Sequence, residues 1–525
     1  MFYPSFEEVL RLKDTYSFIP ISRKVWSDNL TPIRLFQQVK EAYSFLLESV
    51  EGGEQWGRYS FIGNRPFVVF SVRDGKGYIE PLRSDGPAKD SLFSDELFAS
   101  RVSNQPLELL KKLLRTYRVP QELDLPPFSG GAIGYVGYDA ITLVEDIPKH
   151  RQDIFEQDQI RLMFCDEMIA FDHLQQEITF ISHLRVDRAQ TEEELKLSYE
   201  ETCAHISRRI DRVFKRLKQD EFELFHLPSE RPQVDWSQVS SNFDRQSFLE
   251  SVQKIKKYIR AGDVFQTVLS QRFTLDIETD PFNIYRVLRM VNPSPYLYYL
   301  DLGDGINIIG SSPERLVKLV GNKAETNPIA GTRPRGKTKE EDEALARELL
   351  ADEKERAEHH MLLDLGRNDI GRVAQFGTVQ VTKHMQIEKF SHVMHICSTV
   401  EGQMKDGHDA VDALFACFPA GTVTGAPKIR AMEIVAELEN DARHAYSGAV
   451  GYFSFSGNHD SCIAIRTIFV HDGKAHIQAG AGIVADSVPE KEWQETRNKA
   501  RAMLVAVQLA EKIFERTNQG DGVHV

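Results

Sequence analysis

The sequence predicts a mixed α/β chain, arranged as two domains or as one large intertwined unit. Three observations lead there. The 525 residues exceed what a single ordinary core encloses. Segments of period two and segments with apolar residues at helical spacing both recur along the chain. Hydrophobic residues make up 41% and charged residues 27%, the balance of a globular protein rather than a disordered one.

In chain order, RPFVVFSVRDGKGYIEPL (65–82) reads as a β-hairpin turning at Asp74 and Gly75. GGAIGYVGYDA (130–140) reads as a strand closely approached by another backbone, because its glycines leave the room. Residues 191–220 combine Glu, Lys and Arg with helically spaced apolar residues, a solvated helix. The polar, proline-bearing stretch 227–242 is the candidate linker. It divides the chain into an N-terminal domain, 1–235, and a C-terminal domain, 236–525. Phe248, Val252, Ile255 and Ile259 mark one face of a helix that Gly262 ends. VFQTVLSQRF (264–273) alternates as a strand, and 339–366 has the pattern of one long charged helix. TVEGQM, GAVGYFSF, SCIAIRTIFV and AHIQAGAGIV read as strands. A last helix opens at Ser487 with Glu490 three residues on, a capping-box pattern with Pro489 in the first turn, and runs to about Phe514.

The composition excludes several classes. A formal net charge of −14 makes nucleic acid a poor partner, and an anionic substrate would need local cations. The five cysteines form neither a CxxC pair nor a disulfide framework, which fits a reduced, cytoplasmic setting. The acidic N-terminus lacks the apolar stretch of a signal peptide, and no run of 18 apolar residues predicts a membrane span. GTVTGAPK (421–428) is superficially like a phosphate loop but has the wrong glycine spacing, with Pro427 before Lys428. GGAIGYVG lacks the dinucleotide spacing, HVMH (392–395) lacks a third zinc ligand, and no nucleophile elbow is present.

Taken alone, ADEKERAEHHMLLDLGRNDIGRV (351–373) and EKEWQETRNKA (490–500) read as solvated helices laced with ion pairs. Seven ordered segments change that weighting: GSSPERL (310–316), NPIAGTRPRG (327–336), DEKERAEHHMLLDLGRNDIGRV, HVMHICSTVEG (392–402), FPAGTVTGAPKIRAMEI (418–434), CIAIRTI (462–468) and QAGAGIVADSVPEKEWQETRNKA (478–500). Together, over about residues 240–510, they resemble the chorismate-utilising enzyme family. That resemblance implies an α/β fold of the α+β type, with large mostly antiparallel sheets packed against helices.

The resemblance also implies a site. Glu358 and Glu495 match the family's Mg²⁺ ligands, and two carboxylates with waters and a substrate oxygen suit that hard ion. Arg466 matches the partner of chorismate's enolpyruvyl carboxylate, a task for guanidinium geometry. Lys499 would face the same site, or pair with Glu495. Gly480 and Gly482 would bring backbone N–H groups to a carboxylate, or serve strand packing. Glu314 matches the general acid for the departing C4 hydroxyl; its alternative is a loop glutamate paired with Arg315. His395 matches a histidine near the substrate, suited to proton transfer, or is a satisfied strand histidine. Thr326, Gly331, Thr332, Thr422 and Tyr446 are further substrate contacts by analogy.

Two positions choose within the family. Gln266 stands where isochorismate and salicylate synthases carry a water-activating lysine, which favours ammonia as nucleophile. Ala330 stands where aminodeoxychorismate synthases often carry a nucleophilic lysine. Both fit the anthranilate synthases. FLLESVEGGEQWGRYSFIG (45–63) and NPSPYLYYL (292–300) resemble the segments lining the tryptophan feedback site of those enzymes. Glu48, Ser49, Pro295, Tyr296 and Leu297 are therefore candidate inhibitor contacts, in a segment able to supply a carboxylate, an apolar slot and N–H donors to an amino acid; the alternative is core packing. The chain carries no evident glutaminase, so a separate glutamine amidotransferase subunit is expected in a hetero-oligomer. The rival readings are an aminodeoxychorismate synthase subunit and a non-catalytic tryptophan-binding protein on the same scaffold.

Overall fold

The computed structural model describes residues 1–26, 28–49, 57–83, 101–219, 233–389 and 393–518. Residues 227–232 of the expected linker, His392 of HVMH and residues 50–56 of the inhibitor segment lie outside the described residues.

Two large antiparallel sheets face each other. The first runs in the order Phe2–Tyr3, Phe18–Trp26, Glu177–Arg185, Glu167–Asp172, Tyr59–Gly63, Phe45–Glu48, Tyr296–Asp301, Asn307–Ser312, Thr467–His471, Lys474–Ile483, Gln266–Asp276 and Ser240–Ser241, with Gly425–Ala426 added on Gln266–Asp276. The second runs Ile329–Pro334, Val393–Gln403, Lys323–Thr326, Arg315–Val320, His459–Ile463, Ala449–Ser454, Gly131–Val136, Ile160–Cys165, Val68–Arg73, Lys76–Pro81 and Val102–Ser103, with Gln380–Lys389 added on Val393–Gln403. Each sheet is continuous across residue 235. Phe45–Glu48 pairs with Tyr296–Asp301 in one, and Gly131–Val136 pairs with Ala449–Ser454 in the other.

The period-two alternation assigns each strand's neighbours to different cores. Phe45, Phe61 and Tyr298 of the first sheet meet Ile133, Val450 and Tyr452 of the second in the space between the sheets. Their strand neighbours Leu46, Ile62 and Tyr299 join the core under the helices Pro32–Val39, Glu192–Gln219, Pro281–Val291 and Pro489–Asn518. The outer face of the second sheet is covered by Pro106–Thr116, Glu353–Val373 and Ala410–Cys417. No helix among the described residues is long and apolar enough to cross a membrane.

The hairpin at Asp74 and Gly75 forms, with φ of 50° and 73° at the two turn residues. The strand Gly131–Val136 needs its glycines: a Cβ on Gly134 would lie 2.0 Å from the Arg161 carbonyl oxygen. The helix Arg245–Ala261 ends on Gly262 in the left-handed conformation. Three expectations change. The single charged helix is two, Lys339–Ala351 and Glu353–Val373. Asp352 adopts extended backbone between them, and its carboxylate caps the second helix at the Lys354 and Glu355 amides. SCIAIRTIFV is two strands belonging to different sheets, and the chain crosses over at Arg466, whose φ is +52°. The capping box at Ser487 does not form. The Ser487 hydroxyl accepts from the Val484 amide, and Glu490 pairs with Arg245 instead.

Candidate active site

A cavity of about 510 Å³ opens where Gln266–Asp276 and Lys474–Ile483 of the first sheet approach Ile329–Pro334 and Val393–Gln403 of the second. Two helices close it. Glu353–Val373 contributes Lys354 and Glu358, and Pro489–Asn518 contributes Lys491, Glu492, Glu495 and Lys499. The i,i+3 and i,i+4 spacing of 492, 495 and 499 puts those side chains on one helical face. The helices expected to be solvated thus turn their charged faces into a cavity.

Glu314 lies between the strands Asn307–Ser312 and Arg315–Val320 and lines the cavity. It is not paired with Arg315. The Arg315 guanidinium points the other way, donating to Tyr296 Oη at 2.8 Å and Asn327 Oδ1 at 2.8 Å and pairing with Glu325. Burial pushes the Glu314 carboxyl up to about 8, offset in part by the Thr422 hydroxyl. It is therefore a proton donor at neutral pH.

His395 bonds through Nδ1 to the Gly331 carbonyl at 2.9 Å, with Thr332 Oγ1 at 3.0 Å. An Nδ1–H donated to that carbonyl leaves Nε2 with the lone pair. Burial and the nearby Arg466 lower the imidazole pKa, so the ring is neutral. Arg466 occupies a left-handed conformation that costs a non-glycine residue about 1–3 kcal/mol. Burial lowers its pKa, and no carboxylate among the described residues forms an ion pair with it. A buried guanidinium held in this way is a site for an anionic ligand.

Both readings of Lys499 hold. Its ammonium pairs with Glu495 at 2.6 Å and donates to the Gly480 carbonyl at 3.0 Å. A Cβ on Gly480 would lie 2.7 Å from the Tyr446 hydroxyl, and one on Gly482 would lie 2.6 Å from the Gln266 amide nitrogen. Both glycines thus make room for cavity-lining polar groups. Ala330, Gly331, Thr332, Thr422 and Tyr446 line the same cavity. Thr326 does not; it donates to the Leu316 carbonyl at 2.8 Å and lines a smaller chamber behind Glu314. Sequence reasoning missed Lys354, Lys491 and Asp486, because exposed charged residues in loops and helices carry no sign of what they face, and Gln478, a buried strand residue.

The carboxylates fit a hard cation. Burial first, then the negative charge of Glu355 and Glu495, raises the Glu358 pKa, and Lys354 and Lys499 only partly offset this. A divalent ion would relieve that crowding of like charge. Among the described residues no group of three or more His, Cys, Asp and Glu side chains gathers as a complete metal cage.

A second cavity, of about 380 Å³, lies between the sheets. Glu48, Ser49, Pro295, Tyr296 and Leu297 all border it, beside Tyr59, Phe61 and Tyr452. Within this border the Glu48 carboxylate already has partners. Its carboxylate accepts from Tyr285 Oη at 2.6 Å and Arg289 Nε at 2.9 Å, in the core under Pro281–Val291. Strand alternation decides this, since Glu48 is paired with Leu297, whose side chain also enters that core. A second acidic residue bordering the cavity is Asp460, which accepts from Tyr296 Oη at 2.8 Å and lies 4.0 Å from Lys318 Nζ.

Residues 59–505 match the family described as chorismate binding enzyme. The chain belongs to that family. Over 514 residues it is 47% identical to anthranilate synthase component 1 of Acetivibrio thermocellus, across 98% of this chain and 100% of that one. Its fold is similar to the crystal structure of anthranilate synthase component I from Streptococcus pneumoniae TIGR4, with a TM-score of 0.70 and 37% identity over 92% of this chain and 99% of that chain. The menaquinone-specific isochorismate synthase of Escherichia coli, 19% identical, shares the fold with a TM-score of 0.64 over 96% of this chain and 99% of that chain.

Proposed function

We propose that the chain is the chorismate-converting subunit of an anthranilate synthase, acting with ammonia released by a separate glutamine amidotransferase and inhibited by tryptophan. One observation carries the reading. A buried glutamate that holds its proton at neutral pH shares a cavity with a buried arginine, a neutral histidine and two facing carboxylates.

Arg466 and Lys499 bind the two carboxylates of chorismate and fix the ring against Glu314. The ammonia lone pair forms the C2–N bond, both ring double bonds shift (C1=C2 to C1=C6 and C5=C6 to C4=C5), and the C4–O bond breaks. Glu314 gives its proton to the leaving hydroxyl, which departs as water. His395, neutral and with its Nε2 lone pair free of the Gly331 carbonyl, then moves a ring proton as pyruvate is eliminated and the ring becomes aromatic. Glu358 and Glu495 would hold Mg²⁺, which when bound would supply a positive centre beside the ring carboxylate. Gln266 offers no base for water, which leaves ammonia as the nucleophile.

The inter-sheet cavity supports the regulatory part of the reading. Its aromatic walls suit an indole, while Asp460 and Lys318 suit an amino acid's ammonium and carboxylate. The five unpaired cysteines fit a reduced, cytoplasmic setting.

The test is the purified chain with chorismate, Mg²⁺ and ammonium. Fluorescent anthranilate and pyruvate are expected, suppressed by added tryptophan. Accumulation of 4-amino-4-deoxychorismate would assign it to the aminodeoxychorismate synthases, and chorismate binding with no turnover would refute a catalytic role.

A further inference from the structure

Glu314 has two faces. One lines the large cavity. The other lines a chamber of about 40 Å³ bounded also by Thr326, Gly366, Asp369 and Thr422. A water needs roughly 10–15 Å³ of such space, so the chamber holds about three. Its far wall carries an ion pair that the proposed chemistry does not use. Lys428 Nζ lies 3.1 Å from both Asp369 oxygens and donates to the Cys417 carbonyl at 3.4 Å. Asp369 lines the chamber, and each side chain of the pair keeps 9% of its surface accessible. Burial raises the Asp369 pKa against the opposing pull of Lys428, which suits a group that exchanges protons.

The need for such a route follows from the reaction. Each turnover leaves Glu314 as a carboxylate and produces one water beside it. The ammonium formed on C–N bond formation releases one proton on becoming an amine, so the proton account closes once Glu314 is recharged. While substrate or product covers Glu314 on the cavity side, it is accessible only from behind. We infer that the chamber is a water and proton passage serving Glu314. The leaving water enters it, and a proton returns to Glu314 along its waters from the Asp369–Lys428 pair.

This rests on Glu314 being the general acid, and the test separates the two ideas. Gly366 sits inside the helix Glu353–Val373, where alanine is favoured, and its added methyl would lie 3.1 Å from a Pro328 carbon and 3.3 Å from a Thr326 carbon. Gly366→Ala therefore removes chamber volume without loss of helix stability. It is assayed in the full chain with chorismate, Mg²⁺ and ammonium. A three- to tenfold fall in kcat is expected, with unchanged KM for chorismate and a larger solvent deuterium isotope effect. The charge-neutral pair Asp369→Asn with Lys428→Met is expected to lose at least tenfold in kcat, and to regain part of it with added formate or imidazole buffers as small proton carriers. Parental kcat and isotope effect in folded Gly366→Ala would overturn the passage, as would a folded double variant that small acids do not rescue. Full turnover by Glu314→Gln would instead overturn the general acid itself.

Discussion

Replacing Glu314 by glutamine should make the chain more stable and inactive at once. The carboxyl is held at about 8 against an ordinary value of 4.5, chiefly by burial. At pH 7 it is about nine-tenths protonated, whereas an ordinary glutamate would be well under 1% protonated. The unfolded chain releases this proton near 4.5 and the folded chain near 8. The associated stability is full below the lower value and is lost as pH rises through the upper one. The accumulated loss is roughly 4 kcal/mol at pH 8 and under about 1 kcal/mol at pH 5. Glutamine fills the same space and never ionises, so it escapes the loss. In urea titrations, the stability of Glu314→Gln relative to the parent should be about 3 kcal/mol more favourable at pH 8 than at pH 5. Anthranilate fluorescence with ammonium as nucleophile should fall by about 10²–10⁴, the usual contribution of a positioned acid. A stability difference that does not change with pH would refute the buried-acid assignment. Parental turnover would refute its role.

Other outcomes follow from the same geometry. Arg466→Lys should raise KM for chorismate by about tenfold or more while changing kcat less, since a bidentate charge-assisted contact is lost; steady-state kinetics read the split. Gly482→Ala places a Cβ 2.6 Å from the Gln266 amide, so kcat/KM should drop by about an order of magnitude with the melting temperature little changed. Calorimetric Mg²⁺ affinity with chorismate bound should weaken as pH falls toward the raised Glu358 pKa, because the proton competes for that carboxylate, and Glu358→Gln should abolish the dependence. Asp460→Asn should weaken tryptophan inhibition at least tenfold with kcat retained; unchanged inhibition would remove Asp460 from that cavity's ligand set.

Local chemistry made much of the fold legible. Asp74 and Gly75 announce their turn, Gly262 its helix end, and period-two alternation the strands. The ordered motifs also marked nearly every residue that lines the active-site cavity. What they could not show was direction. The long charged pattern hides its break at Asp352, because an aspartate within a run of acids looks no different when it caps a helix. The strand reading of 461–470 hides the crossover at Arg466, because apolar alternation continues while the chain changes sheets.

The inter-sheet cavity shows the same division. The segments bordering the inter-sheet cavity were identifiable from residues 45–63 and 292–300, yet the cavity is also lined by Asp460, some 160 residues further on. Glu48 also borders the cavity, while its carboxylate is held by Tyr285 and Arg289 on the strand face shared with the helix-covered core. Residue types and spacing determined which chemistry the chain carries, because capping, turns and periodicity act over a few residues. Tertiary structure alone decided where that chemistry points. Burial, which gives Glu314 its proton and leaves Arg466 for an anion, depends on strands and helices brought together from both halves of the sequence.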